Sequence, residues 1–146
     1  MNFLLKSIFL ISILFTCQFA VSQVGINTIL PLSTLDVNGN LSIKVVNLNG
    51  GPSGSATPII DGVYISLTPT AGNQEFILPN ASLFPGRTYI VRNVSNSLNA
   101  LLYTFGGAFF SKDSNTATPL PLNMASNALT KTLIVCSDGF NWTYFF

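Results

Sequence analysis

The sequence predicts an all-β protein: a short N-terminal β-hairpin neck followed by a compact antiparallel β-sandwich-like domain. Three observations carry that reading. Asn, Ser and Thr supply 43 of the 146 residues and, with eleven Gly and eight Pro, punctuate the chain throughout. Between these turn formers stand short β-branched and aromatic runs of strand length. No apolar pattern of helical period lasts longer than two turns.

Taken in order, residues 1–22 read as a secretory signal peptide. Lys6 marks a short basic region, residues 8–15 form an apolar run, and Ala20 and Ser22 put small residues at the two positions a signal peptidase reads. Cleavage is expected after Ser22, which exports the mature chain to the cell surface or beyond. A retained anchor fits less well, because Ser12, Thr16 and Gln18 interrupt the run. Lipidation at Cys17 would want small residues where Leu14, Phe15 and Thr16 stand.

Residues 23–49 read as the neck. A three-residue loop of Asn38, Gly39 and Asn40 would pair Val37 with Leu41 and gather Leu35, Val37, Leu41, Ile43 and Val45 on one face. A two-residue Asn38-Gly39 turn would split those residues between faces. Such a hairpin cannot stand alone in water, so its apolar face is expected to be covered by the following domain or by other copies. The Asp36, Asn38, Asn40 spacing also fits the opening of a calcium loop, but Leu41 and Asn47 stand where Gly and Glu would be needed.

Residues 50–56 read as a flexible linker of Gly, Ser and Pro, and residues 57–146 as the sandwich domain. Candidate strands span 41–46, 63–67, 75–78, 88–93, 100–105, 131–136 and 141–145, with one helical turn within 123–129. With Asp138-Gly139 as a turn, Val135 would face Trp142 and Leu133 would face Tyr144. One face then collects Leu133, Val135, Phe140, Trp142, Tyr144 and Phe146. Aromatics in phase with Leu133 and Val135 are read as core rather than as a sugar platform.

Composition narrows the function. Charged residues make up 8% of the chain, the net charge is +1 and no basic cluster exists, so no nucleic-acid partner is expected. Histidine, the commonest general base and metal ligand, is absent. The carboxylates are Asp36, Asp61, Glu75, Asp113 and Asp138. Asp36, Asp61 and Asp138 have turn roles, and nothing in the sequence brings Glu75 and Asp113 together as a catalytic pair. No motif marks a serine paired with Lys44, Lys112 or Lys131. No catalytic residue, cofactor or metal is therefore expected. Cys136 loses its only potential partner with the signal peptide and is read as a small buried hydrophobe, an interchain bridge being the alternative. Loops at 93–99 and 111–121 could hydrogen-bond sugar hydroxyls. Phe109 and Phe110 adjoin, so they point to opposite faces, and one is expected to reach a ligand or a neighbouring subunit.

Two stretches resemble known families. Val24-Gly25-Ile26-Asn27-Thr28, Pro31, Thr34 through Asn40, and Ile43-Lys44 resemble the neck motif of secreted surface proteins from Bacteroidota and of phage tail fibres. Phe76 through Ala81, Pro85 through Ser95, and Ser137 through Trp142 are similar to a β-rich terminal domain of tail-fibre-like exported proteins. The serine-lysine dyad of the self-cleaving chaperone domains that commonly follow such necks cannot be located, so autoprocessing is not expected. The resemblance implies an all-β, often homotrimeric, non-enzymatic extracellular module. Taken with the composition and the signal peptide, the expectation is an exported structural or adhesive surface module, homotrimeric, with a glycan or cell-surface ligand and no membrane contact after signal cleavage. The alternatives are a monomeric carbohydrate-binding module and a small outer-membrane β-barrel. The barrel draws on alternating Phe140, Trp142, Tyr144 and Phe146, although its strands would be half the roughly ten residues a bilayer needs.

Overall fold

A computed structural model describes residues 24–30 and 33–146. The expected signal peptide and its cleavage site at Ser22 lie outside the described residues. The chain divides into two compact units, Met1–Ser42 and Ile43–Phe146.

In the first unit, β1 (Val24–Ile26) and β2 (Leu35–Val37) form a two-stranded parallel sheet, with Val24 opposite Leu35 and Ile26 opposite Val37. Asn27 follows β1 with φ 59°, a left-handed conformation that asparagine tolerates better than most residues. Its side-chain amide donates to the Asn38 carbonyl at 3.0 Å, and Asn38 N–H donates to the Ile26 carbonyl at 3.0 Å. The expected hairpin does not form. Both backbone groups of Asn38 are held by Ile26 and Asn27, so the chain is not turned back at 38–40, and residues 41–44 pair with neither strand.

The second unit is all-β, as expected. Its strands are β3 (Val45–Leu48), β4 (Thr57–Pro58), β5 (Tyr64–Leu67), β6 (Gln74–Leu78), β7 (Thr88–Asn93), β8 (Ala100–Thr104), β9 (Phe109–Ser111), β10 (Ala117–Thr118), β11 (Leu122–Met124), β12 (Thr132–Ser137) and β13 (Trp142–Phe145). They make a seven-stranded sheet, β10-β9-β13-β12-β7-β5-β3, and a four-stranded sheet, β11-β8-β6-β4. The two inner faces share one core containing Ile65, Leu67, Phe76, Leu78, Tyr89, Val91, Leu102, Phe109, Leu133, Val135 and Trp142.

The sandwich is antiparallel only in part. From β3 to β8 the chain alternates between sheets at every step, and β3, β5 and β7 pair in parallel while β4, β6 and β8 do the same opposite them. A parallel pair needs a crossover between its strands, and here a strand of the other sheet supplies it. The result is a flattened coil of three stacked turns, with Val45, Tyr64 and Ile90 in register on one side and Thr57, Phe76 and Leu102 on the other. The later strands add the antiparallel pairs β12 with β7 and β13, β10 with β9, and β11 with β8, and one more parallel pair, β13 with β9. Both sheets are open and the longest strands, β7 and β12, have six residues, which is not the closed sheet of about ten-residue strands that a membrane barrel requires.

The expected partition into neck, linker and domain is also corrected. Strand β3 belongs to the larger sheet, so the division falls after Ser42 instead of at residues 50–56. Gly51 is buried and exchanges two backbone hydrogen bonds with Glu75, at 3.1 and 2.9 Å. A Cβ on Gly50 would meet Gln74 Cβ at 2.4 Å, and one on Gly51 would meet the Ser55 carbonyl oxygen at 1.7 Å. These glycines permit close backbone approach in a packed crossing.

The C-terminal hairpin forms in a different register, with Ser137 opposite Trp142 and Val135 opposite Tyr144. Asp138 Oδ1 accepts from the Phe140 and Asn141 amides at 2.8 and 2.6 Å, which enlarges the turn to four residues. A slip of two residues keeps each side chain on its face. Leu133, Val135, Trp142 and Tyr144 therefore remain core, while Phe140 and Phe146 are expelled to 78% and 47% exposure. Cys136 alternates with inward Val135 and Ser137, so it lies half-buried on the outer face beside Thr88 Oγ1, and not in the core.

The turn amides hold the Asp138 carboxyl below its ordinary value of 3.8. A lowered folded-state pKa means that the charge stabilises the fold above the ordinary value, and this contribution is lost as pH falls through the folded one. Asp138→Asn keeps an acceptor but not the charge. It is expected to be less stable than wild type at pH 7, with the gap closing below about pH 4. Urea denaturation at both pH values checks this, and a gap that ignores pH would refute it.

Candidate functional site

Phe109 and Phe110 part to opposite faces of the larger sheet. Phe109 is fully buried, edge-on to Tyr144 with ring centroids 6.5 Å apart, so as a candidate contact it is corrected to core. Phe110 is half-buried on the outer face and lines an open groove of about 360 Å³ with Lys112, Ser114, Asn115, Asp138 and Asn141. Asn141 Oδ1 is committed to the Ala108 amide at 3.0 Å, and Asp138 Oδ1 to its own turn. An aromatic flank and a polar rim can stack against a ligand and hydrogen-bond it.

The strand register also composes the outer face of this sheet. Val45, Tyr64, Ile90, Ile134 and Phe145 fall in one row across five adjacent strands, spanning about 19 Å at roughly 4.8 Å per strand. Val45, Ile134 and Phe145 are 42–58% exposed, and Phe145 and Ile134 join Thr132 and Phe146 around a cavity of about 300 Å³. On one side runs a polar row of Asn47, Ser66, Arg92 and Thr132, and on the other a row of Thr88, Cys136 and Thr143.

The smaller sheet carries a feature the sequence did not mark. Glu75 is 7% exposed and is the single buried charged side chain among the described residues. Its Oε2 accepts from Gly54 N–H at 2.9 Å and its Oε1 from the Tyr103 hydroxyl at 3.3 Å. Burial, and then the Glu75 charge, push the Tyr103 phenol above its ordinary value. Strands β6 and β8 place Ile77 opposite Tyr103, and Phe105 follows on the same face at 66% exposure. Together with Gly54, Ser55 and Ala56 they line an open pocket of about 370 Å³ beside the carboxylate. Alternation alone puts Glu75 with Ile77, and Tyr103 with Phe105, but only the parallel pairing of β6 and β8 brings the two sets together. Asp113, the other carboxylate without a turn role in the sequence, lies beyond β9 in the other sheet and has no part here.

Among the described residues no group of three or more His, Cys, Asp or Glu side chains could hold a metal ion, and no helix is long and apolar enough to cross a membrane. No family model, curated protein or solved structure matches the chain.

Proposed function

We propose that this chain is an exported, non-enzymatic structural or adhesive surface module that works as a homotrimer, released by cleavage after Ser22, each copy giving its first unit to a shared neck. The supporting observation is that unit. Its two short parallel strands leave Val24, Ile26, Ile29, Leu30 and Leu35 each half or more exposed. Two strands without apolar cover are not stable in water. Three such ribbons packed together would cover one another, and the apolar row on the larger sheet offers a second surface of the same kind.

Light scattering on residues 23–146 is expected to give three times the chain mass. Removing residues 23–42 is expected to give a monomer whose circular dichroism retains the β signal of the second unit. A monomeric 23–146 chain at micromolar concentration would overturn the trimer. The Phe110 groove favours a second reading, a monomeric carbohydrate-binding module. In that case a glycan array would register binding that Phe110→Ala removes.

A further inference from the structure

We propose that the Glu75 pocket on the smaller sheet binds a quaternary ammonium group carried by an extracellular ligand, with the carboxylate as counter-ion and Tyr103 and Phe105 as aromatic walls. This goes beyond the module's assembly and does not depend on it.

A buried carboxylate is costly unless it is paired, yet among the described residues Glu75 has no cationic partner, the ion pair there being Lys44 with Asp61. Both its hydrogen bonds come from neutral donors. A carboxylate has about four acceptor positions, so two are left over.

The surroundings select what fills them. Ala56, Ile77 and Phe105 present hydrocarbon and ring surface. The added polar groups lining the pocket are few: the Ser55 hydroxyl and the Tyr103 hydroxyl, the latter already donating to Glu75. A neutral sugar, with many hydroxyls to satisfy, finds too few partners, and an anion is repelled. A compact cation gains from the carboxylate and from the negative faces of the aromatic rings. The volume of about 370 Å³ falls within the roughly 300–1,000 Å³ range of small-molecule sites. The carboxylate is held in place before any ligand arrives, because the Gly51–Glu75 backbone pairing and the Gly54 amide fix its strand and one of its oxygens.

Choline and its neutral isostere 3,3-dimethyl-1-butanol, titrated separately into the full chain and followed by amide chemical shifts, test the proposal. Saturable shifts at Gly54, Ser55, Tyr103 and Phe105 are expected with choline and not with the isostere. Glu75→Gln, which preserves size and can still accept from Gly54 N–H, is expected to weaken choline binding about tenfold or more, and so is Phe105→Ala at a side chain outside the core. Equal binding of the isostere, unchanged affinity in folded Glu75→Gln, or no saturable shift with choline would each overturn it. The last result would leave Glu75 as a structural clamp on the Gly54 loop.

Discussion

Trp142→Ala is expected to cost about 3–5 kcal/mol of unfolding free energy, read as a fall in the urea midpoint with little change in slope. The indole is fully buried and lies 5.8 Å from the Tyr89 ring, centroid to centroid. Its Nε1–H donates to the Pro79 carbonyl at 3.2 Å and to Thr104 Oγ1 at 3.1 Å, so it joins the outgoing ends of β6 and β8 in the smaller sheet to β13 in the larger one. Alanine would leave a void at this junction of the two sheets and remove the donor to the Pro79 carbonyl together. Trp142→Phe separates the two effects: it keeps most of the volume, forfeits the donor, and is expected to cost about 1–2 kcal/mol. The loss should be felt at the Phe110 groove, because Asn141, next in sequence, holds Ala108 and lines that groove. A cost below about 1 kcal/mol for the alanine variant would mean that the ring is not the junction of the two sheets.

Much of this architecture is legible locally. Turn residues flanking short β-branched, leucine and aromatic runs locate β5, β6, β7, β8, β12 and β13 closely, because each is four to six residues long and carries its own alternation. The two- and three-residue strands β4, β9, β10 and β11 carry too few alternations to signal anything, and they exist because a longer neighbour offers an edge. Which strands pair is a separate matter. An alternating strand looks the same whether its neighbour runs parallel or antiparallel, so the three-turn coil has no local signature. The neck shows the same limit: Val37 could satisfy its apolar face with Leu41 or with Ile26, and three-residue β1 prevailed through the Asn27 and Asn38 hydrogen bonds. At the sites, adjacency showed that Phe109 and Phe110 diverge but not which one turns outward. The Glu75 pocket draws on the Gly54 loop, β6 and β8, and becomes visible only once all three are placed.

Gly51→Ala offers the sharpest contrast between the segment's composition and its packing. If residues 50–56 were a flexible connection, alanine would be neutral or stabilising by about 0.4–1 kcal/mol, since it restricts the unfolded chain. In the packed crossing the new Cβ would stand 1.7 Å from the Ser55 carbonyl oxygen. That oxygen is backbone, in a turn closed by Ser55 N–H donating to the Pro52 carbonyl at 2.9 Å, so it cannot swing aside as a side chain would. Relief requires opening the turn or breaking the Gly51–Glu75 pairing, and destabilisation on the order of 3 kcal/mol is expected by denaturation. Gly54→Ala is the control. It meets no atom within 4 Å and is strained only by φ 78°, so about 1–2 kcal/mol is expected. Opening the turn also withdraws Gly54 N–H from Glu75 Oε2, so folded Gly51→Ala protein is expected to bind choline more weakly than wild type. A variant that loses stability but keeps full choline affinity would show that the Gly54 loop braces the fold without organising the carboxylate.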